Sequence, residues 1–418
     1  MYKIQSVAIN GFWQRLDCFC SFNDDVNIII GRNGTGKTTF MNILHSILSL
    51  DFDGINNNDF NSAEIKLKDG RKSKTIKINK IENETSPYSK IEYQLSSKKY
   101  NLRVMNTDDR RVPLSYRRRV QEESEELRTE LGSLVALSSL SVYRLRNSDD
   151  LEVRDKYGTR FINPVDYKLS ELMQELTKYQ LELSQQARDI ALELQKEVLA
   201  SILYSREDID DKAYNIDFDK EKEKQNLLSA YTQLNAIDSN IRRKINFHVD
   251  NIDHTISKLK QDKKKAIDIR SIEALRKTQK IIKMSLTSKD KTSQIFAPIE
   301  QFLNILKEFV TDKTFEFLGG ELFIKNSHGP IKQESLSSGE KQLLILFIET
   351  LLQREQQYIF ITDEPELSLH IQWQRNIIPA IKKLNPNAQI IAATHSPEVA
   401  SKYKESIFNM EKLVNVKQ

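Results

Sequence analysis

Two short stretches, more than 300 residues apart, carry side chains suited to phosphate chemistry. The first, Gly31-Arg32-Asn33-Gly34-Thr35-Gly36-Lys37-Thr38, is followed by Thr39 and fits the pattern G-x-x-x-x-G-K-[ST]. It lies between Val26-Asn27-Ile28-Ile29-Ile30, an apolar run of the buried-strand type, and a segment in which Met41, Leu44, Ile47 and Leu48 recur at helical spacing. Glycines in such a loop let successive N–H groups turn inward around an anion, and the helix start adds partial positive charge. Lys37 is then placed for the β and γ phosphates of a nucleotide and the Thr38 hydroxyl for Mg²⁺. The second stretch, Tyr358-Ile359-Phe360-Ile361-Thr362, is a buried-strand pattern that ends in Asp363 and Glu364. Adjacent acids at a strand end point to opposite sides, so Asp363 is free for the metal shell and Glu364 for polarising a water. Taken singly, each stretch has a plainer account, a chance glycine turn or solvated strand-end acids; their flanks and their pairing favour the chemical one.

Leu336-Ser337-Ser338-Gly339-Glu340 opens the helix before that acidic strand, about two dozen residues ahead of Asp363. A serine-rich helix start is by itself more often just a cap. At this position the run resembles the signature of ABC-type ATPases. Pro365-Glu366-Leu367-Ser368-Leu369-His370 resembles that family's D-loop, and His395, just after an apolar strand, resembles its switch histidine. The runs Asp-Glu-Pro-Glu-Leu-Ser-Leu-His and Thr-His-Ser-Pro-Glu, with a helical insertion before the signature, resemble the non-transporter branch: SMC-like proteins, OLD-family ATPases, and ATPase subunits of bacterial anti-phage systems such as PARIS and Septu. About the first 50 and the last 90 residues carry the resemblance.

The resemblance implies an ATPase, possessing ATP and Mg²⁺ as ligands. It assigns Gly31 through Thr39 to ATP, Lys37, Glu364 and His395 to catalysis, and Thr38 and Asp363 to the metal. Ser337, Ser338, Gly339 and Glu340, with Ser368 of the D-loop, would touch nucleotide held by a second copy, so the active form would be a head-to-tail homodimer or higher oligomer. Ser338 and Glu340 stand where Gly and Gln are commonest, and His370 stands where Asp is. Gln94 and Gln121 are the candidates for the Q-loop. The anti-phage relatives imply a scaffold and sensor that governs a separately encoded effector nuclease, Toprim- or HNH-type, in answer to a phage-derived trigger. Only 23 residues follow His395, too few for the nuclease domain that OLD proteins carry there. The alternative is an SMC- or RecF-like clamp acting on DNA. Its grip would come from Lys258, Lys260, Lys263, Lys264 and Lys265, or from Arg110, Arg111, Arg117, Arg118 and Arg119; solvated helix faces are the plainer account of both clusters. In SMC-like heads the place of Arg15 is near the nucleotide.

These residues need elements to hold them. The 418 residues, 39% hydrophobic and 29% charged, allow two or three domains with real cores. A net charge of +4 excludes a uniformly polycationic nucleic-acid binder and leaves local patches open. Cys18 and Cys20, the only cysteines, share one face of a strand and read as reduced core thiols. The longest dense apolar run, Leu343 to Ile348, is too short to cross a membrane, and no signal pattern opens the chain, so a soluble cytoplasmic protein is expected.

The expected fold is α/β: an ABC-type P-loop ATPase head with an antiparallel β-lobe and an inserted helical hairpin or coiled-coil arm. Ile4–Ile9 and Leu16–Phe22 read as strands, and Ile65 and Leu67 answer Ile76 and Ile78 across an Asp69-Gly70 turn, with Tyr93, Leu95, Leu102 and Val104 continuing the alternation. Between Gly158 and Gly319 no glycine occurs, and Leu169, Leu172, Leu176, Tyr179 and Leu183 step by three and four. Residues 166–238 hold 9 Lys/Arg against 16 Asp/Glu, and residues 239–291 hold 15 against 6, as suits two arms folding back on each other. Boundaries fall at 1–160 and 311–418 for the two halves of the head, with 161–310 as the arm. Past residue 320 the pattern predicts a helix from about Gly339 to Leu352, one helix carrying Ile371, Ile377, Ile378, Ile381 and Leu384, a strand Gln389–Thr394, and a helix starting at Ser396-Pro397. A single sheet built from both chain ends is expected.

Overall fold

The first thirty residues alternate as a half-buried strand pair and then turn wholly apolar, and the structure, a computed structural model, follows that change. It describes residues 1–81, 88–105, 114–140, 151–155, 158–201, 218–233, 236–260 and 269–416. In chain order the first strands are β1 Lys3–Phe12, β2 Leu16–Ser21 and β3 Val26–Ile30. Next come β4 Ser62–Asp69, β5 Lys72–Ile81, β6 Tyr88–Leu95 and β7 Lys98–Met105, then β8 Leu137–Leu140, β9 Leu151–Asp155 and β10 Gly158–Ile162. After the long helices stand β11 Thr314–Leu318, β12 Glu321–Asn326, β13 Gly329–Pro330, β14 Ile359–Asp363, β15 Gln389–Ala393, β16 Ile407–Asn409 and β17 Val414–Val416.

Two sheets, rather than the expected one, combine both ends of the chain. The half-buried strands form a seven-stranded antiparallel sheet ordered β17-β2-β1-β4-β5-β6-β7, in which Ile65 pairs with Ile76 as the sequence predicts. The fully apolar strands form a five-stranded parallel sheet ordered β16-β3-β15-β14-β8. Every residue of β14 and β15 is buried, as a parallel sheet covered on both faces requires. The buried Gln389 amide ties the sheets together, accepting from the Ile4 N–H at 2.7 Å and donating to the Ile4 and Asn23 carbonyls. The split has a simple cause: period-two alternation and continuous apolarity belong to different layers, and chain-end proximity does not merge them. Cys18 and Cys20 are both free and buried in the antiparallel sheet, and burial pushes each thiol up to about 12.

The chain divides into two compact units. One is Met1–Thr177 with Gln301–Gln418, and the other is Lys178–Glu300. The first contains both sheets, helix α1 Lys37–Ser49, the short α2 Phe52–Asn57 and α3 Leu114–Leu134. It also takes in the first turns of α4 Pro164–Ala200, where Leu169, Leu172 and Leu176 are buried. In the second unit, α5 Lys220–Gln233, α6 Ser239–Lys260 and the start of α7 Ile269–Phe309 close over Leu227, Ile245, Val249 and Ile282. Lys220, from the acidic half, pairs with Asp250 of the basic half at 2.8 Å, the reverse of the sense that net charge implied. The Lys263–Lys265 cluster, Arg110 and Arg111, and the side chains of Arg117–Arg119 and Gln121 lie outside the described residues.

Helix α8 Ser338–Leu352 matches the predicted one. The helix expected to run from Ile371 to Leu384 is instead two, α9 Ile371–Gln374 and α10 Ile377–Leu384. Ile371 is 56% exposed, and Gln374, Arg375 and Asn376 are bonded to Ser396, Glu398 and Lys402, so side-chain ties to another loop decide this break rather than local periodicity. No helix among the described residues is long and apolar enough to cross a membrane.

Glu349, on α8, accepts a hydrogen bond from Ser138 at 3.1 Å, and burial pushes its carboxyl from 4.5 up to about 7 against the pull of Lys168. The folded chain therefore keeps a proton that the unfolded chain releases, so this group's contribution is complete at and below pH 4.5 and is lost as pH rises to about 7. Glu349→Gln, which keeps the acceptor, should raise stability by up to about 3 kcal/mol above pH 7 and leave it unchanged near pH 4.5. Urea unfolding at the two pH values checks this; equal gains at both would mean that the carboxyl is not protonated by burial.

Candidate active site

Three neighbouring strands of the parallel sheet end side by side, because Ile29 stands beside Ala393 and Ala393 beside Asp363. Their carboxyl ends deliver the glycine loop, the acidic pair and His395 to one edge of the sheet, the end at which open α/β sheets bind ligands. The loop's strand and the acid's strand are separated only by β15, about 10 Å across two strand spacings.

The loop closes on itself before α1 starts. Thr35 donates its N–H and its hydroxyl to the Arg32 carbonyl, and Phe40 makes the first helical bond to Gly36. Gly36 has φ 93°, and a Cβ there would lie 2.7 Å from the buried Phe12 ring, so glycine is required twice over. No side chain caps α1, so its first N–H groups are left for an anion. Buried Phe40, Ile43, Leu44 and Ile47 fix the helix on the sheets.

Lys37 is buried, donating to the Gly31 carbonyl at 2.8 Å and the Arg32 carbonyl at 3.1 Å, with His395 Nδ1 at 3.4 Å. Burial lowers its pKa, against the opposing pull of Asp363, Glu364, Glu366 and Glu411. Asp363 is also buried: loss of solvent raises its pKa, Glu364 adds to the rise, and a hydrogen bond from Thr38 and the charge of Lys37 oppose it. Glu364 is half-buried at φ 49°, its N–H held by the Ala393 carbonyl and its Oε1 at 3.6 Å from His395 Nε2. Lys37, Thr38, Asp363, Glu364 and His395 are thus one cluster.

The residues fit Mg²⁺. Asp363 Oδ1 is buried without a hydrogen-bond partner, and its carboxylate lies against the Thr38 hydroxyl. Asp363 and the Thr38 hydroxyl would hold Mg²⁺, with phosphate oxygens and water as the other ligands.

The serine-rich segment forms a separate group. Ser337 caps α8 with a full capping box: its hydroxyl accepts from the Glu340 N–H, and Glu340 Oε2 accepts from the Ser337 N–H at 2.8 Å. The other Glu340 oxygen meets Lys313 at 2.6 Å. Burial raises the Glu340 carboxyl, but Lys313 and the Ser337 donors outweigh it and hold the pKa below the usual value. Both Glu340 oxygens are therefore engaged within the chain. Ser337, Ser338 and Ser368 are exposed, and Gly339 is buried where a Cβ would come within 2.7 Å of the Ser368 carbonyl, so the signature segment and the D-loop are packed together.

Arg15 is exposed on the turn after Trp13 and Gln14, which have φ 51° and 62°. That turn lies against the glycine loop, since Trp13 would be 3.1 Å from a Cβ on Gly36. Gln94 is the next-to-last residue of β6 and donates to the Ser96 carbonyl at 2.7 Å. Three residues of the site went unassigned in the sequence. Glu366 accepts from Thr394, the His395 N–H and the Ser396 N–H; Gln342 donates to the Pro365 carbonyl; and Gln374 accepts from Ser396. The third acid in Asp363-Glu364-Pro365-Glu366 was the only available signal, and it did not say what Glu366 would face.

Fold and site together define a P-loop ATPase domain. The chain belongs to the AAA_15 family, an AAA ATPase domain whose model matches residues 2–400. It is 35% identical over 92 residues to the Septu protein PtuA of Bacillus thuringiensis, which bears out the Septu resemblance. It is also 33% identical over 112 residues to the retron Ec83 probable ATPase of Escherichia coli. The matched segments take in 19% and 22% of this chain and only 23% and 21% of those relatives. Among solved structures, the Smc head domain with an extended coiled coil from Pyrococcus furiosus aligns over 96% of this chain and 92% of its own, with a TM-score of 0.41 and 14% identity.

Proposed function

We propose that the chain binds and hydrolyses ATP at a site shared by two copies stacked head to tail, and that this ATP-driven closure serves as scaffold and sensor in bacterial anti-phage defence. The observation that carries hydrolysis is the convergence of Lys37, Thr38, Asp363, Glu364 and His395 on three adjacent strand ends. Lys37 and the N–H groups of the loop hold the phosphates. Glu364 orients the attacking water and accepts its proton, while His395, within reach of both Glu364 and Lys37, contacts the terminal phosphate. Bound Mg²⁺ would supply charge neutralisation at the β and γ oxygens.

The shared-site reading is supported by the exposed Ser337 and Ser338 at the start of α8, beside Ser368. If binding favours the closed pair, ATP acts as a reversible clamp. Likeness to PtuA and to a retron ATPase supports a defence role; in that role the effector would be a separately encoded nuclease, Toprim- or HNH-type, answering a phage-derived trigger. Purification of the protein expressed with its gene neighbours tests this: a nuclease that remains bound supports it, whereas salt-sensitive DNA binding without a nuclease favours a DNA clamp.

Ser337→Arg should leave nucleotide affinity within about threefold and abolish ATP-dependent dimerisation, with a loss of about 1 kcal/mol in stability from the missing cap. Equilibrium binding and gel filtration with ATP read the two effects. Loss of nucleotide binding by the isolated monomer would place Ser337 in its own chain's site.

A further inference from the structure

The hydrogen bonds around His395 do not come from its own strand alone. Glu366 Oε1 accepts from the Thr394 hydroxyl, the His395 N–H at 3.1 Å and the Ser396 N–H at 3.2 Å. Glu366 is 9% exposed, and its Oε2 is buried without a hydrogen-bond partner. The same turn holds the His395 loop at three more points. Gln374 Oε1 accepts from the Ser396 hydroxyl at 2.7 Å, Arg375 pairs with Glu398, and Lys402 donates to Asn376 at 2.9 Å. Residues 366–376 and 394–402 are therefore laced together by side chains.

The other side of that turn is fastened to α8. Gln342 donates to the Pro365 carbonyl at 3.0 Å, and Gly339 packs on the Ser368 carbonyl. Glu364 and Ser368, at φ 49° and 67°, bracket Glu366 in a left-handed backbone that non-glycine residues adopt only when their surroundings impose it.

We propose that Glu366 is a positioning residue for hydrolysis, whose carboxylate sets the backbone of residues 394–396 and thereby aims His395 according to the state of the signature segment on α8. A displacement at Ser337–Gly339 would pull on Pro365 through Gln342 and move Glu366, and the His395 loop follows because its N–H donors have that oxygen as their partner. An alanine at 366 takes the acceptor from the part-buried His395 N–H and from the buried Thr394 hydroxyl, while the Ser396 N–H keeps only Thr394 Oγ1 at 2.9 Å, so the loop is free to rearrange. Misplacement by about 1 Å at a reacting centre is worth on the order of 100-fold in rate.

This rests on the hydrolytic reading above, and the test separates the two. Phosphate release and nucleotide affinity are measured for the parent, Glu366→Ala, Glu366→Gln, His395→Ala and the Glu366→Ala/His395→Ala double variant. Glu366→Ala should lower kcat about 10- to 100-fold with nucleotide affinity within about threefold. Glu366→Gln keeps an acceptor oxygen and should recover to within about threefold of the parent. The double variant should be no slower than His395→Ala, because Glu366 acts through that side chain. A double variant slowed by the product of the two single effects, or Glu366→Ala turning over at the parent rate beside a slow His395→Ala, overturns the proposal. Should Glu366→Ala not fold, Thr394→Val removes one donor to the same oxygen and should slow kcat severalfold with unchanged affinity; a parent-like rate there also overturns it. If His395→Ala turns over at the parent rate, the assignment of His395 itself fails.

Discussion

Glu364→Gln should reduce ATP turnover about 100- to 1000-fold and leave nucleotide bound, so that the protein elutes from gel filtration with ATP as a persistent dimer. The substitution is nearly isosteric. The Glu364 N–H bond to the Ala393 carbonyl belongs to the backbone, and the φ of 49° is imposed by the strand-end turn, so the site should keep its shape. What disappears is the ability to take a proton from water. His395 Nε2, 3.6 Å from Glu364 Oε1, is near enough to keep an amide in the same place. Steady-state phosphate release and retained nucleotide are the measurements. A Glu364→Gln protein at the parent rate would remove Glu364 from the role of base.

Lys37→Ala should weaken nucleotide binding at least about 100-fold without unfolding the protein. Charge-assisted hydrogen bonds are worth about 1.5–3 kcal/mol each, and every 1.4 kcal/mol is tenfold in affinity, so loss of two phosphate contacts reaches that figure. Stability should be nearly unaffected, because burial of Lys37 works against its charge and its donors contact only the Gly31 and Arg32 carbonyls of an exposed loop and the nearby His395. Titration of a fluorescent ATP analogue together with a thermal melt separates the two outcomes. Unchanged affinity would show that the loop does not hold phosphate through Lys37.

Much of the head was readable because its signals are local. Gly31–Thr38 between an apolar strand and a periodic helix, and Asp363-Glu364 at the end of β14, specify backbone shape and charge within eight residues or fewer. The capping box at Ser337–Glu340 is equally local, but its meaning changed with context. Glu340, read as a contact to a second subunit's nucleotide, has both oxygens committed to Ser337 and Lys313. The expected single helix over 371–384 failed for a related reason, since Gln374, Arg375 and Asn376 are claimed by the 396–402 loop.

By itself the sequence determined the chemistry: a cation, a hydroxyl and two acids on strand ends, with glycines where the backbone must turn back on itself. Those are properties of residue type and near-neighbour spacing, which a linear chain states outright. Tertiary structure decided which strand ends stand next to each other, that two sheets share the work, and that Glu366 grips the backbone around His395. Partners 28 to 30 residues apart, or 385 as for Gln389 and Ile4, leave no periodic trace, because a hydrogen bond depends on where folding brings two groups and not on the distance between them along the chain.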